Sequence, residues 1–166
     1  MTVGYISVGS NIDKDINIPS SLRSLRLLFG DIIISSIYET AAVGFVGDTF
    51  YNLIVRFVSE LSAKQVAKAL REIELTHGRN REAAKFSSRT LDLDLILYGE
   101  QVIRDGRLSI PRDEIERYAF VLEPLAEIAG NELHPISKKS FAELWQNFDQ
   151  TDLQQRRVQP PWPSNE

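Results

Sequence analysis

Residues 88–97, Ser88-Arg89-Thr90-Leu91-Asp92-Leu93-Asp94-Leu95-Ile96-Leu97, alternate leucine with other side chains. A period of two marks a half-buried β-strand, because successive side chains point to opposite faces. Leu91, Leu93, Leu95 and Leu97 are therefore expected to enter a core. Asp92 and Asp94 are expected to project together from the opposite face. Two carboxylates at this spacing repel each other unless a cation lies between them. Hard divalent cations take oxygen ligands, and Mg²⁺ commonly combines one or two carboxylates with substrate phosphates. A solvated acid pair on a surface strand is the alternative. Against it stands the run just upstream, residues 78–89, where Arg79, Arg81, Lys85 and Arg89 face the single acid Glu82. Cations that neutralise phosphate, set beside carboxylates that hold a metal, make a metal–nucleotide site.

Length and charge narrow the remaining choices. A chain of 166 residues is enough for one domain with its own core. The expected division is a single domain over residues 1–150 and a flexible, proline-rich tail over 151–166. A net charge of −4 implies no general affinity for nucleic acid. The absence of cysteine excludes disulfides, thiolate metal sites and thiol catalysis, and makes the cytoplasm a sufficient home. No signal peptide is expected, and no apolar run approaches the ~18 residues of a membrane span.

Along the chain, residues 3–8 read as a first strand that ends in a turn at Gly9-Ser10-Asn11. Residues 18–29 read as a helix begun near Pro19-Ser20-Ser21 and closed by Gly30. A β-rich stretch, 32–38, leads to a loop over 39–48 and a third strand over 50–58. Asn52 enters that apolar run, where it needs either backbone partners or a ligand. Ser62-Ala63-Lys64-Gln65 fits a capping box, and a helix follows through Val66, Leu70, Ile73 and Leu75 toward Gly78. The basic run after Gly78 is a candidate mobile lid or a plain connection. Beyond the acid pair come two short extended pieces and a helix over 113–120. An apolar segment, 120–125, is expected to break at Pro124, and a helix follows over 141–148. His77 reads as a helix cap and His134 as an exposed loop residue. Strand, helix, strand, strand, helix, strand is the β-α-β-β-α-β order of an α+β, ferredoxin-like sandwich. It has a mainly antiparallel sheet, helices on one face and C-terminal additions, which leaves the other face for a substrate.

Gly9-Ser10-Asn11, Tyr38-Glu39-Thr40, Phe50-Tyr51-Asn52, Ile73-Glu74 with Gly78-Arg79, Arg89-Thr90-Leu91-Asp92-Leu93-Asp94 and Phe120-Val121-Leu122-Glu123-Pro124-Leu125 follow one another in order. Over residues 1–130 they resemble the 6-hydroxymethyl-7,8-dihydropterin pyrophosphokinase family of folate biosynthesis. The resemblance implies that ATP gives a pyrophosphoryl group to the pterin's hydroxymethyl oxygen and leaves as AMP. It implies two Mg²⁺ ions on Asp92 and Asp94. A pterin would lie between Phe50 and Phe120, with its polar edge on Thr40, Val43 and Asn52. ATP would meet Glu74, Arg81, Lys85, Leu95, Leu108, Ser109 and Arg112. Arg79, Arg89, Asp92 and Asp94 would form the catalytic set, with Asp94 helping the hydroxyl lose its proton. Partners would be these small molecules, with no nucleic acid or membrane, and a monomer is the expected state. The chain departs from the family pattern where Lys85-Phe86-Ser87-Ser88-Arg89 replaces an Arg-Trp-Gly-Pro-Arg run. It departs again where Arg112 replaces a histidine after proline, where Tyr118 replaces an arginine, and where Ala41-Ala42 replaces a proline-bearing segment. A catalytically weak or inactive paralogue that binds a pterin or nucleotide is the alternative these changes raise.

Overall fold

The computed structural model describes residues 1–41, 48–78, 91–151 and 153–162. Its elements are β1 (Thr2–Ser10), α1 (Lys14–Phe29), β2 (Ile33–Ile34), β3 (Ile37–Thr40), β4 (Phe50–Ser59), α2 (Ala63–Thr76), β5 (Asp92–Tyr98), β6 (Ile103–Asp105), β7 (Leu108–Ile110), α3 (Glu114–Arg117), α4 (Ala119–Ala129), α5 (Phe141–Gln146) and β8 (Arg156–Val158).

The main sheet has the order β5-β1-β4-β3-β8, with β2 also on β4. Every pair in it is antiparallel. β2 and β3 are two pieces of one expected strand. Ile34 lies opposite Val55 and Tyr38 opposite Asn52, so four steps on one side meet three on the other. The extra residue falls at Ser35-Ser36, where the Ser35 hydroxyl takes the Ile54 N–H at 2.9 Å and the Ser35 N–H bonds the Ile54 carbonyl. With α1 and α2 between the strands, this is the ferredoxin-like order expected from the sequence.

α1 and α2 cover one face. Ile6 and Val8 of β1, Leu53, Val55 and Phe57 of β4, and Leu91, Leu93 and Leu95 pack there against Ile18, Leu22 and Leu25 of α1 and Val66 and Leu70 of α2. Each such buried aliphatic side chain stabilises the fold by ~1.5–3 kcal/mol. Gly4 makes this layer possible, since a Cβ would lie 2.4 Å from the Phe57 ring and 2.8 Å from the Tyr98 ring. α2 opens on the expected capping box: Ser62 Oγ accepts the Gln65 N–H, and Gln65 Oε1 accepts the Ser62 N–H. At its end His77 Nδ1 donates to the Ile73 carbonyl at 2.8 Å, and Nε2 accepts the Ser20 hydroxyl at 2.9 Å. The cap thereby ties α2 to α1.

Several expectations need correction. α1 starts a turn before Pro19, at Lys14, because the Asp13 carbonyl already accepts the Ile16 and Asn17 N–H groups. β1 runs through Gly9 and Ser10 rather than turning there. Leu97 leaves the leucine row. Tyr5 pairs with Leu97 but Ile6 pairs with Leu95, so Ile96 is an extra residue at a bulge. Leu97 therefore joins Tyr5, Ile54 and Ile96 on the opposite face, and Tyr98 takes the leucine side. That opposite face is not open along its length. Ile115 of α3, Val121, Leu122, Leu125 and Ala129 of α4, and Phe141 of α5 cover it. α4 passes through Pro124, which is buried like Leu125 beside it, so packing outweighs the hydrogen bond the proline cannot donate. His134 is buried, not exposed. Its Nδ1 accepts the Ile136 and Ser137 N–H groups, its Nε2 faces Glu116 at 3.3 Å, and burial lowers its pKa. Within the stretch expected to be loosely ordered, β8 pairs with β3 as an edge strand.

Candidate active site

Residues directly opposite one another across an antiparallel pair share a face. Asp92 lies opposite Gly9, Gly9 opposite Asn52, and Asn52 opposite Tyr38. One step along, Asp94 lies opposite Ser7 and Ser7 opposite Ile54. One step the other way, Phe50 lies opposite Thr40. Both acids, Asn52, Thr40 and Phe50 therefore belong to the face that α4 shares. Ser7, Asp92, Asp94, Thr40 and Phe50 are only half-buried there, at the end of the sheet that α4 leaves accessible.

Gly9 sits in the middle of this row for a steric reason. A Cβ on it would come within 3.1 Å of Asn52 Oδ1. The missing side chain leaves room over β1 for Asn52 Oδ1, while Nδ2 donates to Thr40 Oγ1 on β3 at 2.9 Å. Ser10 and Asn11 are buried and serve the backbone. Ser10 Oγ donates to the Ile12 carbonyl, and Asn11 Nδ2 to the Asp48 carbonyl, just before Phe50.

Burial, reinforced by the neighbouring Asp92 charge, pushes the Asp94 carboxyl up to about 7. Arg112 opposes that shift, while Glu74 and Glu114 add to it. A desolvated acid beside a second acid is an oxygen donor set that a hard divalent cation would satisfy. Among the described residues no group of three or more His, Asp or Glu side chains forms a metal centre. Asp92 and Asp94 are the residues there that could hold such an ion.

The expected nucleotide-side residues divide. Glu74 is fully buried, and its Oε2 accepts the Leu93 N–H at 2.7 Å. Among the described residues β5 is an edge strand, and α2 supplies the acceptor for this N–H between the two aspartates. Leu95 is a core residue whose side chain lies on the α1/α2 side. Leu108 and Ser109 are half-buried in β7, opposite Asp105 and Arg104 of the β6–β7 hairpin. Arg112 donates its own N–H to the Ile96 carbonyl, and its Nε donates to Glu114 at 2.7 Å. Phe120 opens α4 half-buried, its ring stacked on Tyr118 at 5.0 Å. Arg79, Arg81, Lys85, Arg89 and Val43, and with them the candidate lid, lie outside the described residues.

Nothing in the sequence singles out Glu127 or the role of Tyr38. Glu127, on α4, accepts both the N–H and the hydroxyl of Ser36 and the phenol of Tyr38. It fastens α4 to β3 beside the row that carries Asn52. No local pattern encodes a contact over such a separation, and a lone surface glutamate gives no signal.

Comparison with known proteins bears on the family and the fold. The family described as 7,8-dihydro-6-hydroxymethylpterin-pyrophosphokinase matches residues 5–130. A protein of Aquifex aeolicus called 2-amino-4-hydroxy-6-hydroxymethyldihydropteridine pyrophosphokinase is 31% identical over 146 residues, which cover 87% of this chain and 91% of that one. Its namesake in Synechocystis is 35% identical, covering 88% of this chain and 76% of the relative. The crystal structure of a Plasmodium falciparum HPPK-DHPS triple mutant superposes with a TM-score of 0.71 at 13% identity. That likeness covers 87% of this chain and 43% of the longer one, and it bears on the fold alone. On the extent of these matches, the chain belongs to the 7,8-dihydro-6-hydroxymethylpterin-pyrophosphokinase family.

Proposed function

We propose that the chain transfers a pyrophosphoryl group from ATP to 6-hydroxymethyl-7,8-dihydropterin, as a step of folate biosynthesis. The pterin's hydroxymethyl oxygen bonds to the β-phosphorus, the bond from that phosphorus to the α,β-bridging oxygen breaks, and AMP leaves. The hydroxyl proton is lost to an acceptor at the acid pair, for which Asp94 is the choice. The observation that carries this reading is the register: it sets Asp92 and Asp94 and, two strands away, Asn52 and Phe50 on one partly open sheet face.

Each side chain then has a physical task. Phe50 and Phe120 offer flat apolar surfaces to a heteroaromatic ring. Asn52, oriented by Thr40, presents its amide oxygen to the ring's donor edge. Asp92 and Asp94 would hold Mg²⁺, which when bound neutralises charge on the phosphate oxygens. Arg79, Arg81, Lys85 and Arg89 supply the remaining positive charge, arginine through its bidentate fork. Phosphoryl transfer depends mainly on positioning and charge stabilisation, so a site of this kind needs no covalent nucleophile. Arg112 beside Asp94, and Tyr118 stacked on Phe120, favour a second reading of a slow or non-turning paralogue.

Release of AMP, followed with MgATP and 6-hydroxymethyl-7,8-dihydropterin, separates the two readings. Turnover that disappears in Asp92→Ala and in Asp94→Ala, both still folded, is the expected result. Full activity in either variant would remove the acid pair from the mechanism. Binding of both substrates without AMP release would favour the paralogue.

A further inference from the structure

Three consecutive residues of the C-terminal segment reach the chain immediately beside both aromatic walls. Gln155 Nε2 donates to the Ala119 carbonyl at 3.1 Å and to Glu123 Oε1 at 2.7 Å. Ala119 directly precedes Phe120. Arg156 places its Nε and one terminal nitrogen on Glu39 Oε1, at 3.1 and 2.7 Å. The other oxygen of Glu39 accepts the Thr49 hydroxyl at 3.0 Å, and Thr49 directly precedes Phe50. Arg157 Nε donates to the Tyr38 phenol at 2.9 Å, and the same phenol donates to Glu127 of α4 at 3.1 Å. β8 itself pairs with β3 at Ile37, Tyr38 and Glu39. Gln155 and the short strand that follows it thus bond the start of α4 and the strand that carries Thr40, and reach the residue that leads into β4 through Glu39.

We propose that residues 155–157 are positioning residues that fix the separation of Phe50 and Phe120, through Gln155 to Ala119 and through Arg156 and Glu39 to Thr49. This rests on the reading of those two rings as the pterin's walls. The matched family region ends at residue 130, so the strap lies outside it. The bonds of Gln155 and Arg156 lead to the segments that carry Phe120 and Phe50, so the effect expected is on the pterin. A planar ring held between two faces loses contact on at least one of them when the gap widens by a fraction of an ångström. The bonds themselves are modest, because the Arg156 side chain is 76% exposed and such pairs are weak in water. Their effect is on geometry rather than on global stability.

Gln155→Ala and Arg156→Ala, singly and together, test this in the full-length chain by steady-state kinetics and by titration with 6-hydroxymethylpterin. Each single variant should raise KM for the pterin substrate about three- to tenfold, with kcat and KM for ATP within about twofold. Arg156→Lys, which keeps charge without the fork, should recover part of the loss. Gln155→Ala added to Phe120→Ala should change pterin binding no further. Unchanged pterin affinity in the combined Gln155→Ala/Arg156→Ala variant overturns the proposal. So does an equal loss in ATP affinity and melting temperature, since that is the signature of general loosening. Phe50→Ala and Phe120→Ala measured in parallel keep the two ideas apart. If they leave pterin binding intact, the wall assignment itself is wrong; if they weaken it while the strap variants do not, the strap alone is.

Discussion

Asp94 carries an electrostatic cost that the fold itself does not require. Its carboxyl is raised from the ordinary 3.8 to about 7, first by burial and then by Asp92. A folded-state pKa above the unfolded one means that the folded chain holds its proton more tightly. The associated stability is complete below about pH 4 and is lost as pH rises through about 7. Asp94→Asn removes the ionisation. In metal-free buffer its melting temperature should match the parent chain near pH 4, exceed it increasingly up to pH 7, and hold a constant lead above that, while turnover is lost. Parallel melting curves for the two proteins over this range would show that Asp94 is not strained. The acid pair was legible in the sequence because a period of two is a local property of the strand. The asparagine–threonine bond was not, since it depends on a register between β3 and β4 that no local spacing states. Leu97 was misplaced for a related reason. One residue inserted at the Ile96 bulge inverts every side chain beyond it, and the leucine pattern is silent about bulges.

At the scale of elements, α2 contributes more than a core face. Its buried Glu74 accepts the Leu93 N–H on the outer edge of β5, between the two aspartates. Glu74→Ala leaves that N–H without its acceptor in a buried place, and should cost ~1–3 kcal/mol in a denaturant melt. Glu74→Gln, which keeps an acceptor oxygen, should cost less. Equal stability of parent and alanine variant would reduce Glu74 to a nucleotide contact without a role in the fold. The capping box of α2 was readable because it needs only four consecutive residues. Pro19 and Pro124 misled for the opposite reason. Each removes a helical donor, which marks a boundary on local grounds, yet each lies buried inside a helix whose packing outweighs the missing bond. β8 gave no signal either: Arg156-Arg157-Val158 is too short and too charged to announce a strand, and it forms because the free edge of β3 accepts it.

At the scale of the molecule, the sheet divides its two faces unequally. α1 and α2 close one face over a continuous core, and α3, α4 and α5 close part of the other. The accessible remainder holds the acids at one side and Phe50 at the other, with the buried Asn52 beside Phe50 and β1 between the two sides. The β-α-β-β-α-β order was legible because it follows from element type and succession alone. The cover on the second face was not, because where later helices dock depends on apolar residues such as Tyr5, Ile54 and Leu97 that reveal their face only once the strands are paired. Among the described residues no helix is long and apolar enough to cross a membrane. The most direct test of this layout is a crystal structure with Mg²⁺, a non-hydrolysable ATP analogue and 6-hydroxymethylpterin bound together. The expected result is a cation held by both Asp92 and Asp94 against the phosphates, with the pterin ring between Phe50 and Phe120. Two hydrated aspartates with no cation between them, or a pterin seated away from those rings, would contradict it.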